Sequence, residues 1–369
     1  MSRMLDLMNP PLPAEVRAAK LWRPKQVLIT PSAASWDHGR EIAERCASLG
    51  IDVRTLPSDR LSLAFPDDER QAYAAAKQTL AIVVAPPSKR RLQPIAPSAD
   101  WRVDLAEGCP AHCSYCYLAG SLKGPPITRA YANLPEIIDE LPRHLGQGTI
   151  TSRSAARVHE GTTFEASCYT DPLALEHLTG SLSALIAWFG AWQADAQLRF
   201  TSKFDAVAPL LQLEHGGRTR MRASLNPAAF ARFEGGTSPV AARIAALGRM
   251  AQAGYPIGLT IAPIIAAPGW ERAYGGLIGQ VAELLAAIPQ LDLTVELITH
   301  RYSPGSKATL ESWYPGSDLD MGLGNRTEKR TKFGSVKFVY DATTMRALRT
   351  FFETEIGRLL PMARILYWT

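Results

Sequence analysis

Short apolar runs separated by amphipathic stretches recur from about residue 25 to about residue 300, the pattern of strands crossed over by helices. In residues 25–95 the spacing predicts strands over Lys25–Thr30, Ile51–Thr55 and Thr79–Ala85. Helices are predicted between them over Glu41–Leu49 and Asp67–Gln78. This reads as a small N-terminal α/β unit with parallel-sheet character. It carries no glycine-rich phosphate fingerprint, so nothing marks it as dinucleotide-binding. Pro86–Pro97, rich in proline and basic residues, reads as a linker.

The next stretch repeats strand and helix. Strands are predicted at Trp101–Leu105, Thr163–Cys168, Gln197–Thr201, Arg220–Leu225, Ile257–Ile264 and Leu293–Ile298. Amphipathic helices are predicted at Leu134–Leu145, Leu178–Trp192, Ala241–Ala253 and Tyr274–Ile288. Six strands fall short of the eight of a closed barrel, so the expected α/β fold is a partial, open (β/α)6 barrel. Beyond it lie a Gly/Pro/Ser-rich segment, Ser303–Gly324, and a basic run, Arg326–Lys332. A strand at Ser335–Tyr340, a helix at Thr343–Leu359 and a last strand at Arg364–Tyr367 follow. The expected division is an N-terminal unit and linker over 1–97, the partial barrel over 98–302, and a C-terminal hairpin/helix extension over 303–369.

The composition, 46% hydrophobic and 20% charged, suits a globular chain of 369 residues. No apolar run reaches the roughly 18 residues of a membrane helix, and Met1–Pro13 lacks the apolar core of a signal peptide. A cytoplasmic enzyme with no membrane partner is expected. A net charge of +5 permits an anionic partner without requiring one.

Five cysteines are present, Cys46, Cys109, Cys113, Cys116 and Cys168, and the odd count argues against a disulfide scaffold. Three of them fall in Cys109-Pro-Ala-His-Cys113-Ser-Tyr-Cys116, a C-x3-C-x2-C spacing. Iron–sulfur cubanes are held by thiolates, usually four. Three close thiolates leave one iron open for a substrate or cofactor. The other reading is a structural zinc site with His112 or a distant residue as fourth ligand. Zinc sites more often show paired C-x2-C knuckles, and this chain has no second one. The motif follows a predicted strand, at the end where barrel enzymes place their chemistry.

That spacing, with Tyr115 before the last cysteine, resembles the signature of the radical S-adenosylmethionine superfamily. Further segments resemble the spore photoproduct lyase family. They are Gly108-Cys-Pro-Ala-His-Cys-Ser-Tyr-Cys-Tyr-Leu118, Arg129-Ala-Tyr-Ala-Asn-Leu134, Phe164-Glu-Ala-Ser-Cys-Tyr-Thr-Asp171 and Leu198-Arg-Phe-Thr-Ser-Lys203. Gly254-Tyr-Pro-Ile-Gly258, Ala262-Pro-Ile264, Gly269-Trp-Glu-Arg272 and Glu296-Leu-Ile-Thr-His-Arg301 complete the set, in the family's order.

The resemblance implies a [4Fe-4S] cluster on Cys109, Cys113 and Cys116, with S-adenosyl-L-methionine on the open iron. It implies repair of the spore photoproduct thymine dimer in DNA. A 5′-deoxyadenosyl radical takes hydrogen from C6 of the lesion, and Cys168 returns one. Tyr115 and Tyr117 match the family's radical-relay tyrosines. Lys203, Ser224, Asn226, Pro263 and Ile264 match cofactor contacts. A one-electron reductant such as flavodoxin or ferredoxin is implied.

A lesion inside a duplex must be extruded to reach a buried cofactor. Thr170, His300, Arg301, Tyr302 and Lys307 are the expected lesion or phosphate contacts. Arg326, Lys329, Arg330 and Lys332, with the following strand, form an expected hairpin against damaged DNA. Two departures from the family pattern stand out: Tyr169-Thr170-Asp171 after Cys168, and Pro304-Gly-Ser306 after Tyr302. They leave open a related radical enzyme acting on another nucleic-acid lesion or a small molecule. A non-enzymatic iron–sulfur or zinc DNA-binding protein is the third reading.

Overall fold

Strands apolar on both faces are stable only when both faces are covered, and the apolar runs near the chain's centre meet that condition in a parallel sheet. The structure, a computed structural model, describes residues 21–120, 126–330 and 334–369. Lys332 of the basic run and the Met1–Pro13 segment lie outside the described residues. The main sheet takes β1 (Ala99–Val103), β2 (Thr162–Ala166), β3 (Ala196–Ser202), β4 (Thr219–Leu225), β5 (Ile257–Ile264), β6 (Leu293–Thr299) and β7 (Arg364–Trp368). They lie side by side in sequence order, all parallel. Phe164 pairs with Trp101 and Leu198, and Met221 with Phe200 and Ile257, so one apolar layer runs across the sheet.

The six expected strands form the expected open, curled half-barrel, and two more extend its edges to eight. Gln93–Ile95, within the expected linker, pairs antiparallel with β1. The C-terminal strand joins β6 in parallel. The crossover helices Ser181–Ala191, Val240–Gln252 and Trp270–Leu285 cover the outside. Helix Ala342–Leu359 buries Leu348, Phe352 and Ile356, an i, i+4, i+8 stripe, with Phe352 edge-on to Tyr274.

Two expected helices are broken by local chemistry. Leu178–Trp192 is two helices, because Gly180 adopts a left-handed φ of 64° that ends Pro172–Thr179 and starts the next. The stretch Leu134–Leu145 is a short helix, Leu134–Ile138, then a 3₁₀ turn over Leu141–His144, where Pro142 cannot donate to a preceding carbonyl. The Gly/Pro/Ser-rich segment opens with a helix, Pro304–Trp313. Ser303 Oγ accepts from Ser306 N at 3.1 Å and Ser306 Oγ accepts from Ser303 N at 2.9 Å, a capping box with proline at the first turn.

A second sheet has the order Val53–Thr55, Gln26–Ile29, Thr79–Val83, Thr128–Tyr131, Ala106–Glu107, with only the last strand antiparallel. The chain leaves β1, enters this sheet at Ala106 and returns to it at Thr128. The three-cysteine motif therefore hangs between the two sheets. The basic run forms the strand Arg326–Arg330, paired antiparallel with Val336–Tyr340. No helix among the described residues is long and apolar enough to cross a membrane.

Candidate active site

The C-terminal ends of the half-barrel strands surround a cavity of about 490 Å³. Cys109, Cys113 and Cys116 line one side, with Cys168, Lys203 and Pro263 around the wall. Gly108 opens the cysteine loop with φ +76°, and a Cβ there would lie 2.2 Å from Ile127 O, so the turn requires glycine. The buried Lys77 ammonium donates to the carbonyls of Cys109 and Ala111, fixing the loop from below. His112–Cys113 pairs with Glu234–Gly235 in a two-residue ladder, and Ser114 N donates to Phe233 O at 3.0 Å.

The loop chemistry fits a metal cluster on the three thiols. Burial pushes the Cys109 thiol up to about 12 and raises that of Cys113, so bare thiolates are disfavoured there and compensating cationic iron is what would stabilise them. His112 is turned the other way: its Nδ1 lies 3.2 Å from Tyr73 Oη, and burial lowers its pKa to about 4. It is not placed as a fourth zinc ligand. Among the described residues no three His, Cys, Asp or Glu are grouped to hold a single metal ion.

Cys168 stands on the cavity wall just past β2. Burial, then the charges of Glu165 and Asp104, raises its thiol well above the usual value, so it keeps its proton at neutral pH. The Tyr117 hydroxyl donates to the Cys168 carbonyl, and the residue, which lines the cavity, is exposed. Tyr115 instead donates to Glu234. Tyr169 packs its ring beneath Arg102, whose guanidinium carbon lies 4.3 Å from the ring centre and whose Nε lies 2.9 Å from Asp104. Its bulk is held there rather than spent filling the cavity.

Asp171 joins several elements. Oδ1 accepts from Ser202 Oγ at 2.8 Å and from Ala174 N at 3.2 Å, capping Pro172–Thr179, and Oδ2 accepts from Lys203 N at 2.7 Å. Lys203 Nζ donates to Ser224 Oγ at 2.7 Å, Ala262 O at 3.0 Å and Glu234 Oε1 at 3.1 Å. Burial works to raise the Glu234 carboxyl, but Lys203 and Arg243 outweigh it and hold it at about 2. Asn226 Nδ2 donates to Glu234 at 3.0 Å, and its carbonyl accepts from Tyr274 at 3.0 Å, so Asn226 supports this network from behind. Ile264 is fully buried behind the wall that Pro263 faces.

The sixth strand delivers His300 and Arg301 to the cavity. Tyr302 and Lys307 point elsewhere: the Tyr302 hydroxyl donates to Met321 O at 2.8 Å, and Lys307 Nζ donates to the same carbonyl at 2.9 Å. Arg326, expected at the DNA, is turned inward. It donates to His300 O at 2.6 Å and to His300 Nδ1 at 3.0 Å, and it covers the Tyr340 ring at 3.7 Å. Burial, then this guanidinium, pushes His300 down to about 3, so it is a neutral imidazole carrying its proton on Nε2.

Below the rim the half-barrel is filled with paired charge. Arg222 bonds both Glu165 and Glu296 and donates to Ser98 Oγ at 2.7 Å. Deeper, Glu160 Oε2 accepts from Arg199 at 2.8 Å and from Arg157 at 2.9 Å. Glu234, Arg222 and its two carboxylates were not singled out from the sequence. Glu165 and Glu296 lie inside segments that carry the family resemblance, but nothing in those segments marks them as partners of Arg222, and Glu234 and Arg222 have no local motif around them.

A sequence profile described as spore photoproduct lyase matches residues 22–369. A spore photoproduct lyase of Bacillus subtilis (strain 168) is 36% identical over 352 residues, covering 94% of this chain and 98% of its own. One from Geobacillus sp. (strain Y412MC61) is 35% identical over 348 residues, with the same two coverages. Among solved structures, a spore photoproduct lyase complexed with dinucleoside spore photoproduct superposes with a TM-score of 0.86 at 35% identity, over 95% of this chain and 100% of that one. A mutant with bound AdoMet and dinucleoside spore photoproduct gives the same TM-score at 34% identity and the same coverage.

Proposed function

The chain belongs to the spore photoproduct lyase family, and from that premise we propose how its residues divide the repair of spore photoproduct among themselves. It is a radical S-adenosylmethionine lyase with a [4Fe-4S] cluster and S-adenosyl-L-methionine as cofactors. When bound, they supply a 5′-deoxyadenosyl radical that removes hydrogen from C6 of the lesion. Cys109, Cys113 and Cys116 would hold three irons. Lys203 and Ser224 would receive the cofactor's carboxylate, and Pro263 would flank its adenine. Asn226 and Ile264 act through the residues in front of them.

Thr170, His300 and Arg301 meet the lesion. Tyr302 and Lys307 shape that wall by holding the loop at Met321. After the methylene bridge breaks, the Cys168 S–H bond splits homolytically and its hydrogen forms the C–H bond that completes the thymine methyl. The sulfur keeps one unpaired electron. The Tyr117 hydroxyl, fixed at the Cys168 carbonyl, stands next to return a hydrogen atom, with Tyr115 beyond it on Glu234. The hairpin of the extension over residues 303–369 faces the DNA, and Lys329 and Arg330 on its exposed strand meet phosphates. A flavodoxin or ferredoxin in the cytoplasm supplies the electron.

One observation carries the reading: a thiol kept protonated by its surroundings shares a cavity with three thiols arranged for a cluster. The test is anaerobic repair of a spore photoproduct dinucleoside by reconstituted protein. Two thymines per lesion are expected. Competent cofactor cleavage without lesion turnover would move the substrate to another lesion or a small molecule. Cys168→Ala is expected to cleave the cofactor and release misquenched products; clean thymine from it would remove Cys168 as the donor.

A further inference from the structure

Ser167 stands between the end of β2 and Cys168 with φ +55°. Side chains other than glycine rarely adopt this left-handed conformation, because Cβ crowds the following carbonyl. Among the described residues the only other non-glycine with positive φ is Gln290, in an exposed turn. Ser167 is different: it is 1% exposed and borders the cavity. A strained conformation that persists in a buried position is held there by its neighbours.

The restraints are three hydrogen bonds. Ser167 N donates to Val103 O at 2.7 Å, and Ser167 O accepts from Thr170 N at 3.1 Å. Ser167 Oγ accepts from Leu105 N at 3.1 Å. Val103 ends β1, and Leu105 begins the stretch that runs to Cys109. The chain that presents Cys168 is therefore clamped to the same backbone that delivers the cluster cysteines. An extended residue 167 would prolong β2 and carry Cys168 onward along the strand axis. The turn instead curls the chain so that both Cys168 and Thr170 line the cavity.

We propose that Ser167 is a positioning residue: its left-handed turn, clamped through Oγ to Leu105, sets where the Cys168 thiol stands relative to the cluster cysteines. That placement decides how completely the repaired base collects its hydrogen from this thiol. The inference rests on Cys168 being the donor. The serine hydroxyl matters because a smaller residue would leave the Leu105 N–H, buried beside it, without an acceptor. The turn matters because hydrogen transfer is steeply sensitive to donor position.

The experiment compares wild type, Ser167→Ala and Ser167→Gly as reconstituted full-length protein on the lesion dinucleoside. The readouts are clean thymine formed per cofactor cleaved, and solvent deuterium in the new methyl group. A third readout is the rate at which a small electrophile alkylates Cys168 before any reductant is added. Alanine resists the turn and lacks the acceptor, so clean repair per cofactor cleaved falls about 10-fold and alkylation accelerates. Glycine accepts the turn but also leaves the Leu105 N–H without its acceptor, so it loses about 3-fold, clearly less than alanine. Should the alanine variant not fold, Ser167→Thr takes its place, keeping the hydroxyl while resisting the turn.

A folded alanine variant with wild-type partition and alkylation overturns the proposal. So does a glycine variant that falls as far as alanine. Neither result resembles failure of the donor assignment, which Cys168→Ala reports by itself, nor failure of the substrate assignment, which wild type reports.

Discussion

The two ends of the same half-barrel strands differ in what their buried polar groups meet: opposite charge at the floor, the cavity at the rim. At the floor, Arg222 sits between Glu165 and Glu296, and Glu160 between Arg157 and Arg199, in ion-paired networks that cross the sheet, with Arg222 Nε, Arg199 Nε and Glu160 Oε1 left without a hydrogen-bond partner among the described residues. At the rim, Thr170 Oγ1 and His300 Nε2 are buried beside the cavity without a hydrogen-bond partner among the described residues. A paired buried charge holds shape. An unpaired buried donor or acceptor is costly unless a guest satisfies it. The floor's ion pairs thus brace the curvature, and Thr170 and His300 at the rim retain bonding capacity that a guest in the cavity would satisfy.

Breaking the floor has the largest expected effect. Arg222→Met strips both carboxylates of their partner and should destabilise the fold by about 3–5 kcal/mol in denaturant unfolding. A loss below about 1 kcal/mol would mean the network is not a structural unit. Next in size is a change at the boundary between the two ends. Lys203→Met should weaken S-adenosylmethionine binding about 10- to 100-fold by calorimetry, the worth of one hydrogen bond to a charged group. The fold should change little, since Glu234 keeps Arg243 at 2.6 Å. Unchanged affinity would place the carboxylate elsewhere. The smallest effect is at the rim: Thr170→Val should weaken binding of the lesion dinucleoside about 5-fold while leaving the unfolding midpoint level or slightly higher. A drop in the midpoint would show that the hydroxyl serves the protein rather than its guest.

The same contrast explains what the sequence disclosed. Apolar periodicity located all six central strands and most helices, because core burial is written in local spacing. The cysteine loop and Cys168 were legible from spacing and family resemblance. The floor was not. In β4, Arg220 and Arg222 alternate with Met221 and Ala223, a pattern that ordinarily means a solvated face. Here both faces are buried, and the arginines bond to partners from other strands. Glu234 was invisible for a related reason: it meets Cys113 through a pairing between segments more than a hundred residues apart. Arg326 shows the converse. A basic run suggests an exposed surface, yet its first member folds back onto His300. Ser167 ended β2 two residues before the expected boundary, which propensity alone does not foresee.

Asp171 ties the exits of two neighbouring strands to one helix start, and this constrains how such an enzyme can diversify. The segment bearing Cys168 and the backbone of Lys203 share a single carboxylate, so a change that re-aims one disturbs the other. Descendants seeking new substrates would inherit that half of the pocket nearly frozen. Innovation is left to the opposite half, where His300 leans on a separate hairpin through Arg326 and Arg301 on Thr369, neither of which shares that carboxylate.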